Sequence, residues 1–547
     1  LGAAFTWRLA AERDRALEAE REATVQAATA ARVSDFLVSV FNVSNPRLRS
    51  NRNLSARDVL DEGATRIEHE LADSPRVKAR LLDVLGSAYR SIGEPVRAID
   101  LFRQAVDLYR SPPVDDPLAA AATLSQLAVV YSNNKFAGSE AEATARESLR
   151  LREGRVAPDS LEMADALNTL GVVLEANGQA EAAEPLLQRA LAIRTPKLGA
   201  DSLQVASTLH NLALVADERG DDARAAELFG RALAIKRAKV GEHHPDYQNS
   251  LDNYASALGR VGRREEALAI LRENVGLARE LYGDANEHLA TAHNELGSQL
   301  HDIGRFTEAA DEYRAALAVH ARIAGDGVAN ASRAMPLNNL ASALEDMGEP
   351  AAALPLFRES LDLRRSTQDA GSPMILRAEN NLARVLTRAG DAAAALPLID
   401  SVVAAWRQRD GEANLNTAKA EAIRIEALLA LGRVDEARAT RARMGLPGKA
   451  ANASWTTLLA LSDARIARRE TDPAAALASA DAAWQAVRAQ WGERHPLIVE
   501  AGLLRAEALR RNGRGMEAGD LVAFLRPIAE ASLAPVSPLR AALAAWR

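Results

Sequence analysis

Side chains able to do chemistry are plentiful in this 547-residue chain, but few of them are spaced for it. Cysteine is absent, which removes thiol nucleophiles, disulfides, Cys-ligated zinc and iron–sulfur clusters. The adjacent His243 and His244, with the scattered His288, His293 and His301, are the available imidazoles. A metal site needs three or four ligands that converge, and no carboxylate cluster accompanies these, so they read as loop and solvated helix positions. There is no Gly-x-Ser-x-Gly elbow and no His-Glu-x-x-His. Kinase machinery is missing too: no His-Arg-Asp loop, no Asp-Phe-Gly, and no Gly-rich loop followed by a Val-Ala-x-Lys strand. The run from Gly513 through Gly515 to Ala518 fits the form of a dinucleotide fingerprint. It follows no strand, so it reads as a turn. No catalytic residue, metal or cofactor is expected.

What remains is recognition chemistry. Asparagine recurs at Asn211, Asn253, Asn339 and Asn381, and one residue earlier in its own segment at Asn168, Asn294, Asn338 and Asn380. Asparagine is a poor helix former. Its amide carries donors and an acceptor, which suits it to grip the backbone of an extended peptide. Each such bond contributes about 0.5–1.5 kcal/mol net, so binding needs several in series. Arg377, Arg384 and Arg388, spaced i, i+7, i+11 beside Asn380 and Asn381, are solvated cations or a holder of a carboxylate. Asp302, Glu345 and Asp346 make the same surface mixed in sign.

The elements that must position these residues are set by a repeat. Glycine recurs at Gly178, Gly220, Gly262, Gly304, Gly348, Gly390 and Gly432, with steps of 42, 42, 42, 44, 42 and 42. Gly93 and Gly513 lie two periods out on either side, leaving turns without Gly near Asn134 and Thr471. Eight residues before the glycines stand Leu85, Leu170, Leu212, Tyr254, Leu296, Leu340 and Leu382; seven before come only Gly or Ala. With the residues four and eleven before, they form an i, i+3, i+4, i+7 stripe, an amphipathic helix. Alanine stands five after the turn and Phe102, Leu187, Phe229, Leu271, Tyr313, Phe357 or Ile399 nine after, a second helix. Two antiparallel helices need Gly where φ is positive, and they approach closely only through small residues. One such pair cannot bury both stripes, so pairs must stack. About eleven units are expected in an all-α solenoid, with the asparagines on exposed positions of its first helices. After Gly432 the pattern weakens: Arg424 sits where Leu is expected, and the register from 445 to 500 is open.

Composition agrees with a globular chain: 48% hydrophobic, 26% charged. A net charge of −7 leaves no electrostatic footprint for nucleic acid. No apolar run reaches about 18 residues, so no segment within the chain spans a bilayer. Leu1 to Trp7 are apolar and stop at Arg8, which reads either as the end of a membrane span with an interfacial Trp or as a frayed terminus. Residues 8–32 are Ala-rich, with five Arg against five acids, a solvated helix or a weak coiled coil offering a route to dimerisation.

The recurring pattern of large residue, Leu, small residue, Gly turn, Ala and aromatic resembles the tetratricopeptide repeat family over residues 76–534. The long unit and the loops Gly241-Glu242-His243-His244-Pro245 and Gly492-Glu493-Arg494-His495-Pro496 resemble the variant of kinesin light chains and many bacterial signalling proteins. That resemblance implies a right-handed superhelix whose first helices line a concave groove for a peptide or protein. The two-carboxylate clamp of chaperone-binding relatives needs Lys and Arg thirteen before the Gly. Those places hold Asp165, Ser207, Asn249, Thr291 and Met335, which disfavours that ligand.

The order Val33 to Phe41, Ser55 to Gly63, then Pro75 to Leu82 resembles the region after the transmembrane helix of bacterial receptor-type serine/threonine kinases. It implies a juxtamembrane segment over 1–32, capping helices over 33–75, repeats over 76–534 and a final cap over 535–547. The chain would then be a non-catalytic extracytoplasmic sensor, tethered by a span before Leu1, of a kinase whose catalytic domain lies elsewhere. A cytosolic tetratricopeptide scaffold without a membrane link is the alternative.

Overall fold

The computed structural model describes residues 13, 17, 20, 24–25, 27–39, 55–71, 73–134, 138–324, 331–369, 371–444, 453–493 and 495–546. Leu1 to Trp7 and most of 8–32 lie outside them, and so does the expected turn just after Asn134. Among the described residues there is no strand, and no helix is long and apolar enough to cross a membrane. The all-α solenoid of antiparallel pairs is what the chain forms.

Residues 27–39 are helical, and helix Ala56–Glu70 follows with a capping box between Ser55 and Asp58. Eleven helix pairs follow among the described residues, from Pro75–Ser91 with Pro95–Arg110 to Ile498–Arg511 with Gly515–Ser532, and a short helix, Pro538–Ala545, closes the series. The chain divides after Gly241 into two compact units, the first holding four of these pairs and the second seven.

Local chemistry sets the boundaries. First helices start on a hydroxyl or amide that accepts a backbone N–H: Ser160 from Met163, Ser202 from Val205, Ser372 from Ile375, Asn286 from His288. Some also carry Pro as their first residue, as at Pro245 and Pro373, where the missing N–H costs nothing. Nine of these pairs turn on a glycine held at φ between 73° and 93°. At Gly220 the closing bonds run from Gly220 N to Asp217 O and from Asp221 N to Ala216 O, both 2.9 Å, which satisfies carbonyls that the helix end leaves open.

The small residue seven before the turn faces the large one nine after it. A Cβ on Gly86 would lie 2.8 Å from the Phe102 ring, on Gly171 2.6 Å from Leu187, and on Gly297 2.7 Å from Tyr313. Those partners are buried, each contributing about 1.5–3 kcal/mol of apolar transfer. The second turn without Gly falls at 468–472, where Asp472 caps the next helix through Ala474 N and Ala475 N. Arg424 takes the Leu position because its Nε reaches Asp400 Oδ1 at 2.6 Å and its Nη1 reaches Thr440. Gly513 is a turn between two helices.

Candidate functional site

The asparagines of successive first helices meet. Asn211 Nδ2 donates to Asn168 Oδ1 at 3.2 Å, Asn339 to Asn294 at 3.0 Å, and Asn381 to Asn338 at 3.0 Å. They are therefore not the exposed positions the repeat suggested. Asn168, Asn211, Asn253, Asn338, Asn339, Asn380 and Asn381 are half-buried, and Asn294 is 2% exposed. For these three pairs, bonding between neighbouring repeats gives a poor helix former a structural reason to stand here. Asn380 Oδ1 is buried without a donor.

The arginines separate. Arg377 is exposed, whereas Arg384 and Arg388 converge on one carboxylate. Glu345, whose side chain is wholly buried, lies 2.9 Å from Arg384 Nη2 and 3.2 Å from Arg388 Nη1. The chain of charge continues: Arg388 Nε stands 3.7 Å from Glu426, Arg465 Nη1 bonds the same Glu426, and Arg465 Nη2 lies 2.6 Å from Glu500. Acid and base thus alternate over five consecutive first helices. Burial alone would lower the pKa of Arg388, but Glu345, Glu426 and Glu500 outweigh it and raise it. Burial likewise pushes the Glu500 carboxyl up, and Arg465 and Arg388 bring it below its ordinary value.

This ladder lies along a cavity of about 510 Å³ inside the second unit. Leu429, Leu503, Leu504, Leu533 and Leu539 supply apolar wall beside Arg388, Arg465 and Glu500. The cavity is bounded on this side because the unit curves until its late residues touch its own second and third helix pairs. Ala534 N donates to Met347 O at 2.9 Å. A Cβ on Gly348 would lie 2.9 Å from Ser537 Cα, and one on Gly304 2.5 Å from Pro496 Cδ. Both glycines also hold positive φ, so turn and closure demand the same residue. His495 stacks on Trp491 at 4.7 Å and stands edge-on to Phe306 at 6.1 Å. Burial pushes the His495 pKa down to about 4. His301 Nε2 lies 3.0 Å from Asp346 Oδ2. Burial would raise the Asp346 carboxyl, but that histidine and the two arginines hold it below its usual range.

Spacing along the chain did not reveal Arg465 because the turn of the tenth pair carries no glycine to register it, and Glu426 and Glu500, six and thirteen before their own turn glycines, find their partner Arg465 on a neighbouring first helix. The other histidines are engaged locally: His243 with Glu280, His293 with Glu312, and His244 as a cap for Asp246 N. Among the described residues no group of three or more His, Asp or Glu is placed to hold a metal ion. What the cavity can do chemically is bind: an apolar wall takes a side chain, and ion-paired groups that keep spare lone pairs and N–H donors take backbone.

Tetratricopeptide-repeat family models match residues 81–114, 119–195, 162–238, 248–288 and 332–408. No curated protein matches the chain. Solved structures to which it is similar include a putative kinesin light chain with nearly identical TPR-like repeats from Podosopora anserina, at 22% identity over 38% of this chain and 97% of that one, TM-score 0.34. Another is BtubC from P. vanneervenii, at 17% identity over 47% and 92%, TM-score 0.34. A third is the apo quorum sensor NprR from B. thuringiensis, at 13% over 74% and 98%, TM-score 0.44. Over the matched residues, then, this chain is built of tetratricopeptide repeats.

Proposed function

We propose that this chain is a non-catalytic protein-interaction module that holds an extended peptide of a partner against its first helices, with the cavity of the second unit as the main receptacle. The observation that carries this reading is the cavity of about 510 Å³ lined by first-helix residues of consecutive repeats. It offers both apolar contact and, at Arg388, Arg465 and Glu500, polar groups that keep a share of exposure. A cavity with an apolar wall and a few fixed polar groups is the usual form of a ligand site. Binding there draws its specificity from the charge order, because a wrongly placed charge would stand against a like one.

The test is selection from a random dodecapeptide display library on the purified chain, repeated on Leu504→Trp, which fills the cavity. Enriched peptides are expected to bind the parent at least tenfold more tightly than the variant. Peptides indifferent to that change would overturn the reading.

The finer assignment, a sensor region of a bacterial receptor-type serine/threonine kinase on the extracytoplasmic side, is also part of the proposal. It is supported by the order of residues 33–82 and its resemblance to such receptors. Sequencing the reading frame upstream of Leu1 checks it: a membrane span preceded by kinase motifs is expected. A start codon or another helical repeat in that place would instead favour the cytosolic scaffold.

A further inference from the structure

Sixteen residues after the turn glycine, several second helices carry a basic residue: Arg194 after Gly178, Lys236 after Gly220, His320 after Gly304 and Arg364 after Gly348. The structure shows what that position is for. Arg194 Nη2 donates to Asp165 Oδ1 at 2.6 Å, and its Nη1 donates to Thr208 Oγ1 at 2.6 Å and to Gln204 O at 3.2 Å. Asp165 stands thirteen residues before its own turn glycine, and Thr208 twelve before the next one. His320 Nδ1 lies 3.4 Å from Glu287.

In the repeat of Arg364 the two partner places hold Met335 and Ala378, so the acid and the hydroxyl are both gone while the cation stays. Among the described residues nothing replaces them. Arg364 makes no ion pair, its Nε is buried without an acceptor, and burial lowers its pKa with no acid opposing the shift. Its place in the last turn of helix Pro350–Arg365 lets the helix dipole favour the charge, but a dipole does not occupy the guanidinium's donors.

Arg364 lines a pocket of about 300 Å³ that shares no residue with the cavity described above. Thr291, Thr367 and Gln368 add polar groups to its wall. Met335 and Met374, 45% and 47% exposed, and Pro336 add apolar surface. Glu287 shares the wall, and its charge penalises a dianion about twice as much as a single negative charge.

We propose that this pocket is a binding site for a monocarboxylate with a short aliphatic body, its two oxygens taking on Arg364 the two guanidinium arms that Asp165 and Thr208 take on Arg194. A planar fork matches a carboxylate at two points. Such a group reaches the pocket either as the free C-terminus of a peptide or as a small free acid, and the test separates the two.

Titration calorimetry on the full chain compares 4-methylpentanoate with 4-methylpentanamide, and acetyl-Gly-Leu with its C-terminal amide. Each acid is expected to bind at least tenfold more tightly than its neutral amide, and Arg364→Gln to remove that advantage. A stronger response to acetyl-Gly-Leu assigns a peptide terminus; a stronger response to 4-methylpentanoate assigns a free acid. Met335→Asp supplies the acid missing from this repeat. It is expected to raise Tm and to abolish acid binding by occupying Arg364 from within. Equal binding of acids and amides, acid binding unchanged in both variants, or a lower Tm in Met335→Asp would overturn the proposal.

Discussion

A buried carboxylate shared by two guanidiniums has unequal costs of removal. Glu345 has no exposed side-chain surface, and both Arg384 and Arg388 depend on it. Glu345→Gln leaves those charges short of a counter-ion, and about 3–5 kcal/mol should be lost in urea denaturation. Glu507→Gln, against the half-exposed Arg468, should cost less than about 1 kcal/mol. Two histidines contribute an acid-sensitive part of the stability. Burial lowers His210 and His495 from 6.5 to about 4, so the unfolded chain takes up protons first as pH falls. Their contribution to stability is therefore full above about pH 6.5 and is lost toward pH 4, by at most about 1.4 kcal/mol per pH unit for each group, while Asp252, raised by burial to about 6, works in the opposite direction. In His210→Phe, the drop in Tm between pH 7 and pH 5 should shrink. Sequence alone showed these side chains without their partners. The register placed Arg384 and Arg388 on one helix, but Glu345 belongs to the helix one repeat earlier, 39 residues before Arg384. The asparagines likewise looked like free amides because their acceptors stand 43 or 45 residues away.

The helix pair was the most legible element, because its packing is written in side-chain size at fixed distances from one glycine. Gly86 before the turn and Phe102 after it fit only because one lacks a Cβ. Gly86→Ala should therefore cost about 1–3 kcal/mol by overpacking. A paired comparison isolates the closure of the cavity. Gly348→Ala and Gly390→Ala both place a side chain at positive φ, 85° and 93°, a strain of about 1–3 kcal/mol each. Only Gly348 also meets Ser537, whereas nothing lies within 4 Å of Gly390. The first variant should lose more stability, and peptides selected on the parent should bind it more weakly; equal losses would show that the contact does not matter. Where a turn is made without glycine, as at 468–472, the register was lost, and with it the sight of Arg465.

At the scale of the whole molecule, stability is a sum over neighbours. Pairs that touch chiefly the next pair unfold piecewise, so the van't Hoff enthalpy from a melting curve should fall below the calorimetric one. The repeat period announced stacking but not closure. Gly304 and Gly348 meet Pro496 and Ser537 only after small rotations accumulate over several pairs, and no local signal encodes their sum. That late meeting sets an order of events at the ribosome. The residues around Ala534 and Leu539 that complete the wall are translated after its other lining residues. A nascent chain therefore has an open trough where the finished protein has a chamber, and a tenant can be enclosed only once that stretch has emerged.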